Sequence, residues 1–239
     1  ELHLGSLRGR EAALYAHTHG YVANLMLQPV ASQIALQTAG EYLRAPQTYD
    51  PAAAWDRALH AAAPSSHAAL RRFAEAGLFS ALYPEPPEPL ATLTTAVIAS
   101  LRLGEQAASS FAVRALNSYL ATLSDDCRRL RSELEDELRM EIGPWLDALE
   151  TWLELGRQTL AVLSAISADW PTGSGAYTLG ELCQAAQGQP YRIAGNVLLT
   201  LADYALAAMA EPGRDSAPDA GAQAAPAQDH LSTGQPTTS

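Results

Sequence analysis

The sequence predicts a mainly α-helical protein, in which one strand–turn–helix unit precedes a helical bundle and a disordered tail follows it. A short apolar run, Tyr21–Ala23, is followed by a helical periodicity that begins at Pro29. Amphipathic segments separated by short breaks then fill most of residues 51–210, as is typical of a bundle. Residues 211–239 are rich in Ala, Pro, Gly, Ser, Thr and Gln, a composition that favours disorder.

The strand–turn–helix unit contains the first candidate for ligand binding. Its apolar run is short enough for a buried strand and stops at Asn24. Pro29 stands where the first turn of a helix tolerates proline, and Val30 and Ile34 follow at helical spacing. A side-chain amide at the end of a strand can reach a ligand, so Asn24 is a candidate substrate-binding residue. The alternative is an asparagine that only turns the chain.

The helices that follow are predicted from start and stop signals together with apolar spacing. Asp50-Pro51 is a capped helix start, and Pro64-Ser65-Ser66 ends that helix and begins the next. Four more helices are expected, and Gly143-Pro144 is predicted to separate the last two of them. These helices carry the apolar positions Leu90 to Leu101, Phe111 to Leu123, Leu130 to Ile142 and Trp145 to Ile166.

The remaining segments are connections and packing helices. Tyr83–Pro89 is proline-rich and is predicted to be a stiff connector. Trp170 lies in a predicted loop, where it is either a platform for a sugar or a buried structural residue. Leu179–Ala186 and Ile193–Met209 are predicted to pack on the bundle as helices. The predicted regions are residues 1–50, 51–168, 169–210 and the tail 211–239.

Composition and charge exclude two classes of partner. The 239 residues contain 15 basic and 26 acidic residues, a net charge of −11, and every basic residue is arginine. Such a chain offers no basic face, so we expect no nucleic-acid partner. No stretch reaches 18 consecutive apolar residues, so no membrane span is predicted. Two cysteines, Cys127 and Cys183, do not specify a compartment.

Two segments carry a specific motif. Leu2–Glu11 reads LHLGSLRGRE, and Gly20–Trp55 contains Asn24, Met26 and later matches. The later matches are Ala31-Ser32, Ile34-Ala35-Leu36, Tyr42-Leu43, Pro46, Tyr49-Asp50-Pro51 and Trp55. In this order they resemble the end of the catalytic domain in glycoside hydrolase family 84. Members of that family are β-N-acetylglucosaminidases, including O-GlcNAcases that remove N-acetylglucosamine from protein Ser and Thr. The departures are Ser6 and Leu25, each where the family has proline, and Gln33 for lysine.

The resemblance implies a fold and a mechanism. Residues 1–50 would be the last strand–helix portion of a (β/α)8 barrel, with the helical bundle after it. Asn24 would hydrogen-bond outer hydroxyls of the bound sugar. In the family an adjacent Asp pair serves catalysis: one Asp orients the acetamido group and the other is the general acid and base, while the acetamido oxygen attacks the anomeric carbon. That pair precedes the asparagine, so the catalytic carboxylates are expected upstream of this chain, and no cofactor or metal is implied.

Two other clusters could be mistaken for sites. Asp125-Asp126 is an adjacent carboxylate pair, but it follows Asn24 instead of preceding it, and we predict that Ser124-Asp125-Asp126 caps a helix. His17-Thr18-His19 could be half of a metal site, although no further ligand cluster accompanies it, and a solvated loop is the favoured interpretation.

The working hypothesis is therefore that the chain is the C-terminal portion of a retaining β-N-acetylglucosaminidase that acts on N-acetylglucosamine-containing glycoconjugates or glycoproteins. About fifty residues of a barrel cannot fold alone, so the N-terminal catalytic part of the same protein is the expected partner. A homodimer through the bundle is a further expected interaction. One alternative is a non-enzymatic helical interaction or dimerisation module anchored to a partner polypeptide. Another is a relative that binds sugar without cleaving it.

Overall fold

The computed structural model describes residues 2–78, 87–168, 175–191 and 193–210, and in these residues helices are joined by short connections without any strand. The helices are α1 Leu14–His17, α2 Pro29–Arg44, α3 Pro51–Ala62, α4 His67–Ala76, α5 Leu90–Arg102, α6 Phe111–Glu133, α7 Asp136–Ser167, α8 Gly175–Gln187 and α9 Val197–Ala210. Three sequence predictions concern residues outside the described ranges: most of the proline-rich connector, the loop with Trp170, and the disordered tail.

The strand predicted at Tyr21–Ala23 is wrong for the described part of the chain. These residues are irregular, and α2 follows after a bend at Leu27. A strand exists only through hydrogen bonds to a neighbouring strand, and none of the described residues pairs with this segment. Val22 in this segment is consequently exposed, at 96%, as is Leu27 shortly after it, at 95%.

The first two long helices begin where the sequence predicts. Pro29 is the first residue of α2, and Pro51 is the first residue of α3. The Asp50 carboxylate accepts hydrogen bonds from the amides of Ala52 and Ala53 at 2.9 and 3.2 Å, which satisfies two free donors of the first turn. α4 also begins where predicted, after Ser66, although the Ser66 side chain makes no capping bond.

The boundary between α6 and α7 differs from the prediction. Gly143-Pro144 does not end a helix, because α7, which is 32 residues long, continues through Pro144. Proline removes one backbone donor, but buried Ile142 and Trp145 on either side hold the helix in the core. The break lies instead at Leu134, whose backbone is extended with φ −74° and ψ 148°. The helix predicted over Leu130 to Ile142 is therefore divided between α6, which also contains the helix predicted before it, and α7, which also contains the helix predicted after it.

The predicted helix start at Ser124-Asp125-Asp126 is also wrong, because these residues lie inside α6. The Asp126 carboxylate is buried and accepts two hydrogen bonds from the Arg72 guanidinium of α4, at 2.6 and 2.7 Å. This bidentate pair raises the pKa of Arg72 and joins α4 to α6. Asp125 points outwards and pairs with Arg128 one turn along the same helix.

One hydrophobic core connects the N-terminal segment with the bundle. Leu2, Leu4 and Ile34 belong to the same buried cluster as residues of α3 to α9. α7 lies at its centre, since it packs against α2, α6, α8 and α9. Its Gly156 lies so close to α6 that an added Cβ would stand 2.9 Å from a methyl of Leu120.

The last two predicted helices are confirmed as α8 and α9. α9 begins at Val197 rather than Ile193, because Ala194 and Gly195 have φ angles of 60° and 54°, which no right-handed helix accepts. α9 is apolar on most of its surface but only 14 residues long. Of the helices in the described ranges, none combines the length and the apolar character that crossing a bilayer requires.

Both cysteines, Cys127 in α6 and Cys183 in α8, are free thiols. Burial raises the pKa of the Cys127 thiol from 9.0 to about 12. At pH 9 only about one thiol in a thousand would be ionised at that pKa. We therefore expect Cys127 to resist alkylation by iodoacetamide in the native protein at pH 9 and to react readily in guanidinium chloride, with the labelled site identified by peptide mass spectrometry. Rapid native labelling would contradict this burial.

The same thiol affects stability at alkaline pH. Because its folded pKa lies above the unfolded one, the neutral thiol contributes stability that is complete below pH 9 and is lost as the pH rises towards 12. Cys127→Ser should remove this part of the alkaline decline, which urea denaturation at several pH values between 8 and 11 would measure.

Candidate functional site

Trp55 of α3 attaches the N-terminal segment to the bundle. Its ring is 2% exposed, and its indole N–H donates to the Leu4 carbonyl at 2.5 Å. Leu2 and Leu4 are buried on the same side of the segment. The opposite side of the segment, which includes His3 and Gly5, is left to form one wall of a cavity.

Three further side chains fix the segment beyond Leu4. The Thr38 hydroxyl of α2 accepts a hydrogen bond from the Leu7 amide at 3.0 Å, and the Tyr49 hydroxyl donates to the Leu7 carbonyl at 2.8 Å. The Tyr42 hydroxyl donates to the Glu11 carbonyl at 2.8 Å. Tyr42 and Tyr49 of the sequence motif therefore hold the segment from outside the cavity lining, whereas Trp55 is part of that lining.

The cavity measures about 940 Å³ and is open on one side. Its walls are the segment His3–Arg8, the irregular segment Tyr21–Met26, one face of α2, parts of α3 and α4, and the residues Gly77, Leu78, Pro87 and Glu88. Most of the side chains in these walls are apolar, with a few polar groups among them, which is the usual composition of a ligand site.

Asn24 lies in the cavity wall, where the sequence predicted a ligand-binding amide. The segment is fixed two residues after Asn24, where Met26 packs against the core. The Met26 sulfur also accepts a hydrogen bond from the His3 amide at 2.9 Å. Leu25, which stands where the motif has proline, is half exposed beside it. The Asn24 residue itself is exposed, so a ligand in the cavity could reach its amide.

The carboxylates of the cavity wall are already engaged. Asp50 caps α3, and Glu75 accepts a hydrogen bond from Arg71 at 3.0 Å. Glu88 accepts from the Thr92 amide at 3.4 Å. Each of these three carboxylates therefore already accepts a hydrogen bond from a neighbouring group.

Two arginines line the cavity beside Trp55. Arg71 and Arg8 place their guanidinium carbons 5.4 and 6.0 Å from the centre of the Trp55 ring. Hydrogen bonding to Glu75 raises the pKa of Arg71, and Asp56 lies 2.9 Å from its other side. Both arginines therefore pack against the Trp55 ring, and Arg71 also holds Glu75 and Asp56 in place.

The other sequence candidates do not join this cavity. His17 and His19 are exposed in and after the short helix α1, and the described residues contain no group of three or more His, Cys, Asp or Glu side chains suited to a metal ion. Asp126 is engaged by Arg72 in the bundle. Trp170 is outside the described residues.

Sequence reasoning missed one residue that shapes the cavity. Both carboxylate oxygens of Glu141, in α7, accept hydrogen bonds at the start of α2, from the Val30 amide at 3.1 Å and the Ala31 amide at 2.8 Å. More than 100 residues separate the partners along the chain, and no local pattern marks such a contact.

The N-terminal part of the chain is similar to a known protein family. Residues 1–75 match the family model described as beta-N-acetylglucosaminidase. This range contains the segments that carry Asn24 and the three motif aromatics. Comparison with curated proteins gives no match.

Solved structures extend the similarity to the bundle. An O-GlcNAc hydrolase mutant from Thermobaculum terrenum is 25% identical with a TM-score of 0.74, over 86% of this chain and 45% of that chain. CpGH84B is 20% identical with a TM-score of 0.72, over 84% of this chain and 36% of that one. CpGH84D is 18% identical with a TM-score of 0.64, over 77% and 33%. The last two show the fold alone.

The chain thus resembles the C-terminal part of a glycoside hydrolase family 84 β-N-acetylglucosaminidase. It spans less than half the length of each of these solved structures.

Proposed function

We propose that this chain is the C-terminal portion of a retaining β-N-acetylglucosaminidase that removes N-acetylglucosamine from glycoconjugates by substrate-assisted catalysis. The observation that carries the proposal is that the family match over residues 1–75 contains Asn24, and that Asn24 lies in the wall of the cavity of about 940 Å³. O-GlcNAc on proteins is the proposed substrate class, because the Thermobaculum terrenum structure is named an O-GlcNAc hydrolase.

The proposed contribution of the chain is binding and not acid–base chemistry. The three carboxylates of the cavity wall already accept hydrogen bonds: Asp50 from the first turn of α3, Glu75 from an arginine, and Glu88 from a backbone amide. The Asp pair that orients the acetamido group and transfers the proton would come from an upstream part of the same polypeptide. The Asn24 amide would donate to and accept from sugar hydroxyls, which fixes the ring while the acetamido oxygen attacks.

The irregular segment that carries Asn24 supports an upstream partner. Val22 and Leu27 are almost fully exposed, and Leu25 is half exposed. Apolar side chains grouped in this way usually mark a surface that another polypeptide covers. An upstream part of the protein that packs on this segment would bury them and would place its own residues opposite Asn24 across the cavity.

Replacing Asn24 with alanine tests the proposed sugar contact. In the polypeptide that joins the chain to its upstream part, we expect kcat/KM for an aryl β-N-acetylglucosaminide to fall by about 10- to 100-fold, since a hydrogen bond to the sugar is lost. Gln28→Ala, four residues later in the same segment, is the matched control and should retain activity. Equal activity of wild type and Asn24→Ala would reduce Asn24 to a turn residue.

The isolated chain supplies the second arm of the experiment. It should have no hydrolase activity, because the proposed catalytic Asp pair belongs to the upstream part of the polypeptide. If the joined polypeptide is folded but also inactive, the result favours the alternative that the chain is a non-enzymatic helical interaction module. Sedimentation of the isolated chain then shows whether the module is a homodimer.

A further inference from the structure

We propose that Glu141 is a positioning residue for the sugar site: from α7 it fixes the first turn of α2 and thereby the segment that carries Asn24. The inference rests on the proposed function, because it assigns Glu141 a part in the same site. Glu141 does not itself line the cavity. It would act only through the backbone of α2 and the residues before α2.

The start of α2 lacks a local cap. Pro29 has no amide hydrogen, and the Gln28 side chain makes no capping bond. The amides of Val30 and Ala31 would otherwise be two unsatisfied donors at the positive end of a 16-residue helix. The Glu141 carboxylate satisfies both with one oxygen each, at 3.1 and 2.8 Å. A residue distant in sequence therefore does what an N-cap side chain normally does.

The distance along the chain from this cap to Asn24 is short. Only Leu25 to Gln28 separate Asn24 from Pro29, and Met26 within this stretch is already held by the core. The stretch is thus fixed at Met26 and at the first turn of α2, while Asn24 is exposed at its free side. If the first turn loosens, the second of these attachments is lost and the direction of the Asn24 amide becomes variable.

Glu141 is itself held firmly. Its neighbour Ile142 is fully buried, and Trp145 and Leu146 continue the buried face of α7. This part of α7 packs in the core that also holds Ile34 of α2. The carboxylate therefore stands on a rigid support, which is what a positioning group requires.

The test compares Glu141→Gln with Glu137→Gln in the polypeptide joined to its upstream part. Glu137 lies one turn earlier on α7 and is exposed, so it controls for the loss of one negative charge. We expect Glu141→Gln to raise KM for an aryl β-N-acetylglucosaminide by about 3- to 10-fold with a smaller change in kcat, because ground-state binding of the sugar is weakened. Glu137→Gln should match the wild type.

A double-variant cycle separates positioning from general destabilisation. If Glu141 acts through Asn24, Glu141→Gln should cause no further loss of kcat/KM in an Asn24→Ala background. Amide hydrogen exchange at Val30 and Ala31 should be faster in Glu141→Gln, at a temperature at which all variants are folded by circular dichroism. A merely structural role would give losses that multiply in the double variant.

The outcomes distinguish the two proposals. Multiplying losses, or an unchanged KM in Glu141→Gln while Asn24→Ala loses activity, would overturn the role of Glu141 and leave the proposed function intact. A folded wild-type polypeptide that does not hydrolyse the glycoside would overturn both. A raised KM that disappears in the Asn24→Ala background supports the inference.

Discussion

Replacing Trp55 with alanine is expected to lower the free energy of unfolding by about 3–5 kcal/mol. The side chain is 2% exposed and packs between the N-terminal segment and the arginines of the cavity wall. The change opens a space in the core and also leaves the Leu4 carbonyl without its donor. Urea denaturation followed by far-ultraviolet circular dichroism measures the loss.

Trp55→Phe separates the two causes. The smaller ring fills part of the space but cannot donate to Leu4, so we expect a loss of about 1–3 kcal/mol. A phenylalanine variant as stable as the wild type would show that the indole hydrogen bond contributes nothing. In the joined polypeptide, loss of this attachment should also weaken sugar binding, because the segment His3–Arg8 forms one wall of the cavity.

Asp126→Asn is expected to lower the free energy of unfolding by about 2–3 kcal/mol. The Asp126 side chain is 6% exposed and Arg72 is 35% exposed. Removing the carboxylate charge leaves the partly buried guanidinium of Arg72 without a negatively charged partner. The value lies below that for a fully buried pair, because water reaches one side of Arg72.

The adjacent carboxylate provides the control for this experiment. The Asp125 side chain is 69% exposed and pairs with the exposed Arg128, so Asp125→Asn should change stability by less than about 0.5 kcal/mol. The combined change Arg72→Met with Asp126→Leu should cost less than Asp126→Asn alone, since no charge is left without a partner. Equal losses for the two single carboxylate variants would contradict the structural difference between Asp125 and Asp126.

Local signals in the sequence predicted most helix starts correctly. Pro29 and the Asp50-Pro51 pair act within one turn of their own position, so the neighbouring residues are sufficient to identify them. Gly143-Pro144 misled because packing on both sides of the proline outweighs one lost hydrogen bond. The break at Leu134 has no glycine or proline to mark it.

The sequence predicted some residues of the candidate site and missed others, for the same reason. Asn24 was predicted because a motif surrounds it in the sequence, and the structure places it in the cavity wall. The strand before it was not found, since a strand depends on a partner strand that the described residues do not provide. Glu141 and the Arg72–Asp126 pair were missed because their contacts join residues far apart in the chain.

The continuous core that joins the N-terminal segment to α7 has a consequence for unfolding. Because Leu2, Leu4 and Ile34 are buried with the bundle, the residues before Asp50 and those after it should melt in one cooperative transition. A chain shortened to begin at Asp50 would lose partners for Trp55 and for α7 and should lose cooperativity. A substitution that destabilises the segment around Asn24 should therefore lower the stability of the whole bundle.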